Sequence, residues 1–159
     1  MKKVDHAKLL EKMKNKFGIQ GRLGILINKF LENRVQEKSM VKSGSFQGSV
    51  LGPVLFLMFI QDISEDMTVN TKDFVDDTKL KEKIIDEDDV VKVHENLDKL
   101  YKWQNINNMK FDGPKFQVLR YGPNEEVKND TVYSTDNMEN VIHIFSSVRD
   151  LRMILSDDV

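Results

Sequence analysis

Apolar positions near the N-terminus fall into two helical stripes. Leu9, Leu10, Met13 and Phe17 lie on one face of a helix, with Asp5 placed to cap it and Gly18 to stop it. From about Arg22 a second helix is predicted, because Leu23, Leu26, Ile27, Phe30 and Leu31 stand at i, i+3, i+4, i+7 and i+8. Ser43–Gly48 has the small-residue chemistry of a loop. After Gly52–Pro53 the run VLFLMFI is apolar all round, which predicts a helix buried on most sides with proline in its first turn. It ends in the acidic patch Asp62–Asp66.

The periodicity then shortens. Val69–Phe74 and Thr78–Ile84 read as strands joined by a turn at Val75-Asp76-Asp77. An acidic connector, Asp86–Asp89, leads to a helix from about Asp89 to Asn105 with Val90, Val93, Leu97 and Leu100/Tyr101 on its apolar stripe. Lys115–Tyr121 reads as a strand, Gly122–Met138 as a polar loop, and Val141–Phe145 and Leu151–Leu155 as late strands. Strands do not alternate regularly with helices, so the fold class is α+β. A length of 159 residues fits a single domain.

Composition narrows the chemistry. The chain has no cysteine, which excludes disulfides and cysteine-based zinc sites. His6, His94 and His143 are scattered without ligand spacing. The N-terminus has basic residues but no apolar stretch of the signal-peptide kind. The longest apolar run, Val50–Ile60, is interrupted by Gly52 and Pro53 and falls short of the roughly 20 residues of a bilayer span, so no membrane partner is expected. Net charge is −2, but it is unevenly spread: residues 1–42 carry 11 Lys and Arg against 4 Asp and Glu, and the remainder 13 against 22. A basic end on an acidic body suits either a polyanion binder, with Lys8, Lys12, Lys14 and Lys16 on the first helix, or a solvated lysine-rich helix.

Two adjacent carboxylates in a turn, Asp76-Asp77, are ordinary by themselves, since aspartate suits turns. Their context is not ordinary. A loop of small residues with one amide (Ser43, Gly44, Gln47, Gly48) precedes Gly52-Pro53 and the apolar helix, and an aromatic-x-Asp-Asp turn follows. In this order Ser43–Pro53 (SGSFQGSVLGP) and Phe74–Leu80 (FVDDTKL) resemble the reverse transcriptase of LINE-type, jockey-like non-LTR retrotransposons. The likeness extends to Lys3–Gly21, Phe30–Gln36, Asn96–Trp103, Asn107–Gly122 and Arg149–Val159.

The resemblance implies a partial polymerase palm: an antiparallel sheet with a catalytic-type hairpin, packed by helices, over about 1–121, then a loop and primer-grip-like strands over about 122–159. It implies an RNA-directed DNA polymerase, Mg²⁺ held by Asp76 and Asp77, an RNA template and a DNA primer, and the nucleus. Ser43, Gly44, Phe46, Gln47 and Gly48 would meet nucleotide and template, Lys115 would protonate the leaving pyrophosphate, and Asp150, Leu151 and Arg152 would form the primer grip. Two cations stabilise the attacking and leaving oxygens of such a displacement, so carboxylates must come from two backbone segments.

The chain departs from the family at telling places. Phe46 replaces a proline, and Arg152 replaces the glycine of the primer-grip turn. The stretch from Gln36 to Ser43 is shorter than in the family, and nothing in the sequence corresponds to its fingers or first palm strand. Lys2 stands where the first metal-binding aspartate belongs, and an ammonium repels Mg²⁺. Asp5 lies three residues on, at a helix start, and is poorly placed to substitute. The expectation is therefore a polymerase fragment without turnover, with part of the Val50–Ile60 helix left wet. The alternative is a non-catalytic module binding nucleic acid through its first helix.

Overall fold

The structure, a computed structural model, describes residues 4–32, 35–36, 39–40, 50–74, 77–121, 133–135, 138–142, 144–150 and 153–157. Among the described residues it is α+β, with four helices and small two-stranded sheets, all antiparallel except one. The chain divides into two compact units, Met1–Phe111 and Asp112–Val159.

In the first unit, α1 (His6–Phe17) begins where Asp5 accepts the backbone N–H groups of Ala7 and Lys8, at 2.9 and 3.1 Å. It ends at Gly18, whose φ of +64° lets the Ile19 N–H return to the Met13 carbonyl at 2.9 Å. Leu9 and Met13, one turn apart, are buried. The second helix, α2 (Gly21–Glu32), departs from the predicted stripe: Ile27 and Leu31 are buried, but Leu23 and Leu26 are 52% and 64% exposed. The stripe spans more of the helix circumference than α1 covers.

Pro53 lies in the first turn of α3 (Leu51–Ile60) as expected. Leu55 and Phe59 are buried at i and i+4, while Val54 and Leu57 on other faces are about half exposed. The helix is thus wet along part of its length, where its all-apolar sequence predicted burial on most sides. Leu9, Met13, Leu31, Leu55, Phe59 and Met109 form the heart of the core, with Trp103 packed against it.

A helix longer at both ends than predicted, α4 (Glu87–Ile106), absorbs the supposed acidic connector. Asp86 accepts the Asp89 N–H at 3.1 Å, and the Asp89 carboxylate turns back to accept the Ile85 N–H at 2.9 Å, much as in a capping box. These acids therefore start the helix, where its dipole favours negative charge. At the far end Asn108 adopts φ +52°, a conformation asparagine tolerates, and donates to Asp5 at 3.0 Å. That bond ties the end of α4 to the start of α1.

Two short pairs complete the strands. β1 (Val35–Gln36) pairs with β2 (Ser39–Met40), and β3 (Asn70–Phe74) with β4 (Asp77–Lys81), both antiparallel. The second unit departs most from expectation. In place of a strand over Lys115–Tyr121 there is a 3₁₀ turn, Gly113–Lys115, and a two-residue strand, β5 (Val118–Leu119), parallel to β8 (Ile144–Phe145). Gly113-Pro114 favours the turn, and proline has no N–H for a ladder. The supposed loop over Gly122–Met138 contains β6 (Tyr133–Thr135), paired with β7 (Met138–Ile142). Tyr and Thr suit strands, a preference hidden there by polar neighbours. β9 (Ser147–Asp150) and β10 (Met153–Ser156) make a final antiparallel hairpin.

Candidate functional site

The β3–β4 hairpin carries the aspartate pair. Its register runs Asn70↔Lys81, Thr71↔Leu80, Lys72↔Lys79, Asp73↔Thr78 and Phe74↔Asp77. Phe74 therefore ends one strand and Asp77 begins the next, with Val75 and Asp76 as the two residues between them. Two-residue connections are the commonest hairpin loops. Asp77 is exposed at this end, beside a Phe74 that is 55% exposed.

Two anchors hold the hairpin. Ser64, in the turn after α3, donates to Asp73 at 2.6 Å. The second is Asn96 on α4, fully buried, which accepts the Thr68 N–H at 2.8 Å and donates to the Thr68 hydroxyl at 2.8 Å and the Lys92 carbonyl at 2.6 Å. Thr68 lies just ahead of β3, so α4 sets where the hairpin begins. Asn96→Ala strands the Thr68 amide, and about 2–3 kcal/mol of stability should be lost. Urea titration by circular dichroism checks this, with faster amide exchange across β3 and β4 as the local signature.

Beneath the hairpin's helical support lies a network invisible in sequence. Lys12 donates to Asp62 at 2.6 Å and to the Phe59 carbonyl at 2.8 Å, with its ammonium 4.8 and 4.7 Å from the Phe59 and Trp103 ring centres. The Trp103 indole N–H donates to the same Asp62 oxygen at 2.9 Å, Lys16 lies 3.3 Å from the other, and Lys16 also pairs with Glu65. Burial opposes ionisation of Asp62, but Lys12, Trp103 and Lys16 outweigh it and hold the carboxyl below its ordinary value. Burial draws the Lys12 ammonium down by more than Asp62 restores. Hydrogen bonds from Lys12 and Trp103 and the Lys16 charge all converge on Asp62 and favour its ionised form.

Two expectations about charge can be placed. Of the four α1 lysines proposed to hold nucleic acid, Lys12 and Lys16 are committed to Asp62 and Glu65, and Lys8 lies 3.4 Å from Glu11. Asp5 is committed as well. One carboxylate oxygen accepts the two cap amides and the other accepts from Asn108. Burial opposes its ionisation, but these bonds outweigh it and hold the carboxyl below its ordinary value. Asp5 is a structural cap.

Of the other predicted site residues, Lys115 lies in the 3₁₀ turn, 81% exposed and 3.2 Å from Asp112. Asp150 is half-buried at the end of β9, opposite Met153. Asp77, Lys115 and Asp150 share no element. Ser43, Gly44, Phe46, Gln47, Gly48, Asp76, Leu151, Arg152 and Lys2 lie outside the described residues. Among the described residues no group of three or more His, Asp or Glu side chains is gathered to hold a metal ion. None of the described helices is long and apolar enough to cross a membrane. Comparison with protein-family models, curated proteins and solved structures gives no match.

Proposed function

We propose that the chain is a fragment of an RNA-directed DNA polymerase of the LINE-type, non-LTR retrotransposon kind, without catalytic turnover as it stands. The observation that carries the reading is the register Phe74↔Asp77, which makes aromatic-x-Asp-Asp a two-residue hairpin after a largely apolar helix. A metal-binding palm needs its carboxylates displayed at such a tip, because Mg²⁺ takes oxygen ligands from few protein groups. The SGSFQGSVLGP and FVDDTKL motifs supply the lineage. RNA template, DNA primer and Mg²⁺ at Asp76 and Asp77 belong to the same proposal.

Lack of turnover follows from the donor set. Lys2 takes the place of an aspartate, and Asp5 has both oxygens engaged in capping α1 and holding Asn108. A polymerase metal site drawing on one segment is incomplete, so no chemical step is assigned to this chain.

Primer extension tests activity. Purified 1–159, given Mg²⁺, a primed RNA template and deoxynucleotides, should add nothing above a protein-free control. Incorporation abolished by Asp76→Ala would uphold the lineage and overturn the inactivity. The DNA upstream of the Met1 codon tests the lineage: it should encode, in frame or beyond a stop, a palm strand bearing the missing aspartate. Upstream DNA without any such strand would remove the proposal's main support.

A further inference from the structure

A groove opens between α1 and α2 where α2 presents glycine. Gly21 and Gly24 carry no side chain, and a Cβ at Gly21 would meet nothing within 4 Å. A neighbour can therefore come close to the helix backbone there. The groove measures about 400 Å³. Leu10, Ile19 and Ile25 give it apolar walls, and Ile25 is 58% exposed. Lys14 and Lys29 border it, and both are exposed. Among the described residues neither pairs with a carboxylate, unlike Lys12 and Lys16. Glu32 also lines the groove but accepts from Asn28 at 2.6 Å.

The complement to this groove lies on α4. Glu87, Val91 and Glu95 stand at i, i+4 and i+8 and so share a face, with Asp88 beside them. All four are exposed. Among the described residues none of these three carboxylates pairs with a cation, whereas Asp89 in the same turn holds Lys92. This is an acidic helix face with an apolar centre, opposite in sign to a basic groove with apolar walls.

We infer that the α1–α2 groove receives the acidic face of α4 from a second copy of this chain. Val91 would meet the apolar walls, and the flanking acids would meet Lys14 and Lys29. The same asymmetry runs through the whole chain, which is basic over residues 1–42 and acidic after them, so copies attract head to tail. A phosphodiester chain suits the groove less well: it would satisfy the lysines but leave Leu10, Ile19 and Ile25 wet. The two surfaces differ, so the contact is heterologous, and copies add in a row or close into a ring. Neither surface includes the β3–β4 hairpin, so the inference is independent of the polymerase reading.

Sedimentation velocity of the full chain over a dilution series tests it. The weight-average coefficient should rise with concentration up to about 0.1 mM, where a micromolar contact is nearly complete. The rise should shrink with added salt. Lys14→Glu/Lys29→Glu should abolish it, and so should Glu87→Lys/Glu95→Lys. Mixing these two variants should restore it, because each surface then meets the opposite charge. Lys72→Glu/Lys81→Glu, with the same change in net charge on the hairpin, should associate like the natural chain. Ile25→Ser should weaken association by about tenfold at unchanged charge. A natural chain that stays monomeric at every concentration overturns the inference. So does association that survives either charge reversal, or a mixture of the two folded variants that stays monomeric. Should a reversal unfold the chain by circular dichroism, Lys14→Gln/Lys29→Gln and Glu87→Gln/Glu95→Gln decide instead, and full association in either overturns the inference. Association lost on nuclease treatment would assign the groove to a nucleic acid and overturn it equally.

Discussion

Asp62→Ala should destabilise the first unit by about 2–3 kcal/mol, somewhat less than breaking a fully buried ion pair from one side, because both side chains keep a little contact with water. The substitution leaves the Lys12 ammonium between two aromatic rings without its bonded carboxylate, keeping only the Phe59 carbonyl and the weaker pull of Glu65, and strips the Trp103 indole N–H of its acceptor. The weakened cation dominates, since a poorly compensated charge out of water costs more than an unpaired neutral donor. Lys12→Met/Asp62→Leu should recover much of the loss, because replacing both ends removes the stranded charge. Equal destabilisation in the single and double variants would show that the packing of Asp62, and not its charge, matters. Trp103 is the only tryptophan, so its fluorescence follows unfolding of this region directly.

The same carboxylate sets an acid limit. Asp62 and Asp5 are both held below 3.8 in the folded protein. A carboxyl with a lowered folded value stabilises the protein above its unfolded value and loses that contribution as pH falls through the folded one. Stability should therefore be intact at neutral pH and decline below about pH 3.8. The decline should be shallower in Asp62→Asn, which has one such group fewer. A decline as steep as that of the natural chain would mean that Asp62 is not linked to folding.

Phe59→Ala should cost about 3–5 kcal/mol, by a different route. Phe59 is fully buried, meets Trp103 edge-on with ring centres 6.1 Å apart, and forms one wall of the Lys12 site. Truncation opens a cavity where α1 and α3 pack and removes the ring over the ammonium. Phe59→Leu keeps most of the volume and should cost about 1–2 kcal/mol. Calorimetric melting of the two variants separates these outcomes; similar losses would show that the ring, and not its volume, carries the stabilisation.

Local patterns were legible where one signal acted alone. Asp5 and Gly18 mark the limits of α1 because capping and left-handed backbone are chemistry of single residues. The aromatic-x-Asp-Asp hairpin is equally local. Errors arose where signals competed. The acids of 86–89 read as a connector because charge run and helix start look alike along the chain, and only the Asp89 carboxylate turning back to Ile85 separates them. The alternation after Lys115 suggests a strand, whereas Gly113-Pro114 directs a 3₁₀ turn.

Sequence alone determined the caps of α1, the class of the fold and the β3–β4 hairpin, since each depends on residues close together along the chain. Tertiary structure decided which charges are already engaged. Lys12 reaches Asp62 fifty positions away, Asn108 reaches Asp5 across nearly all of the first unit, and Asn96 reaches back to Thr68. Pairings at such separations depend on how helices pack, which no local periodicity encodes, and they turn a basic first helix into a wall of the core.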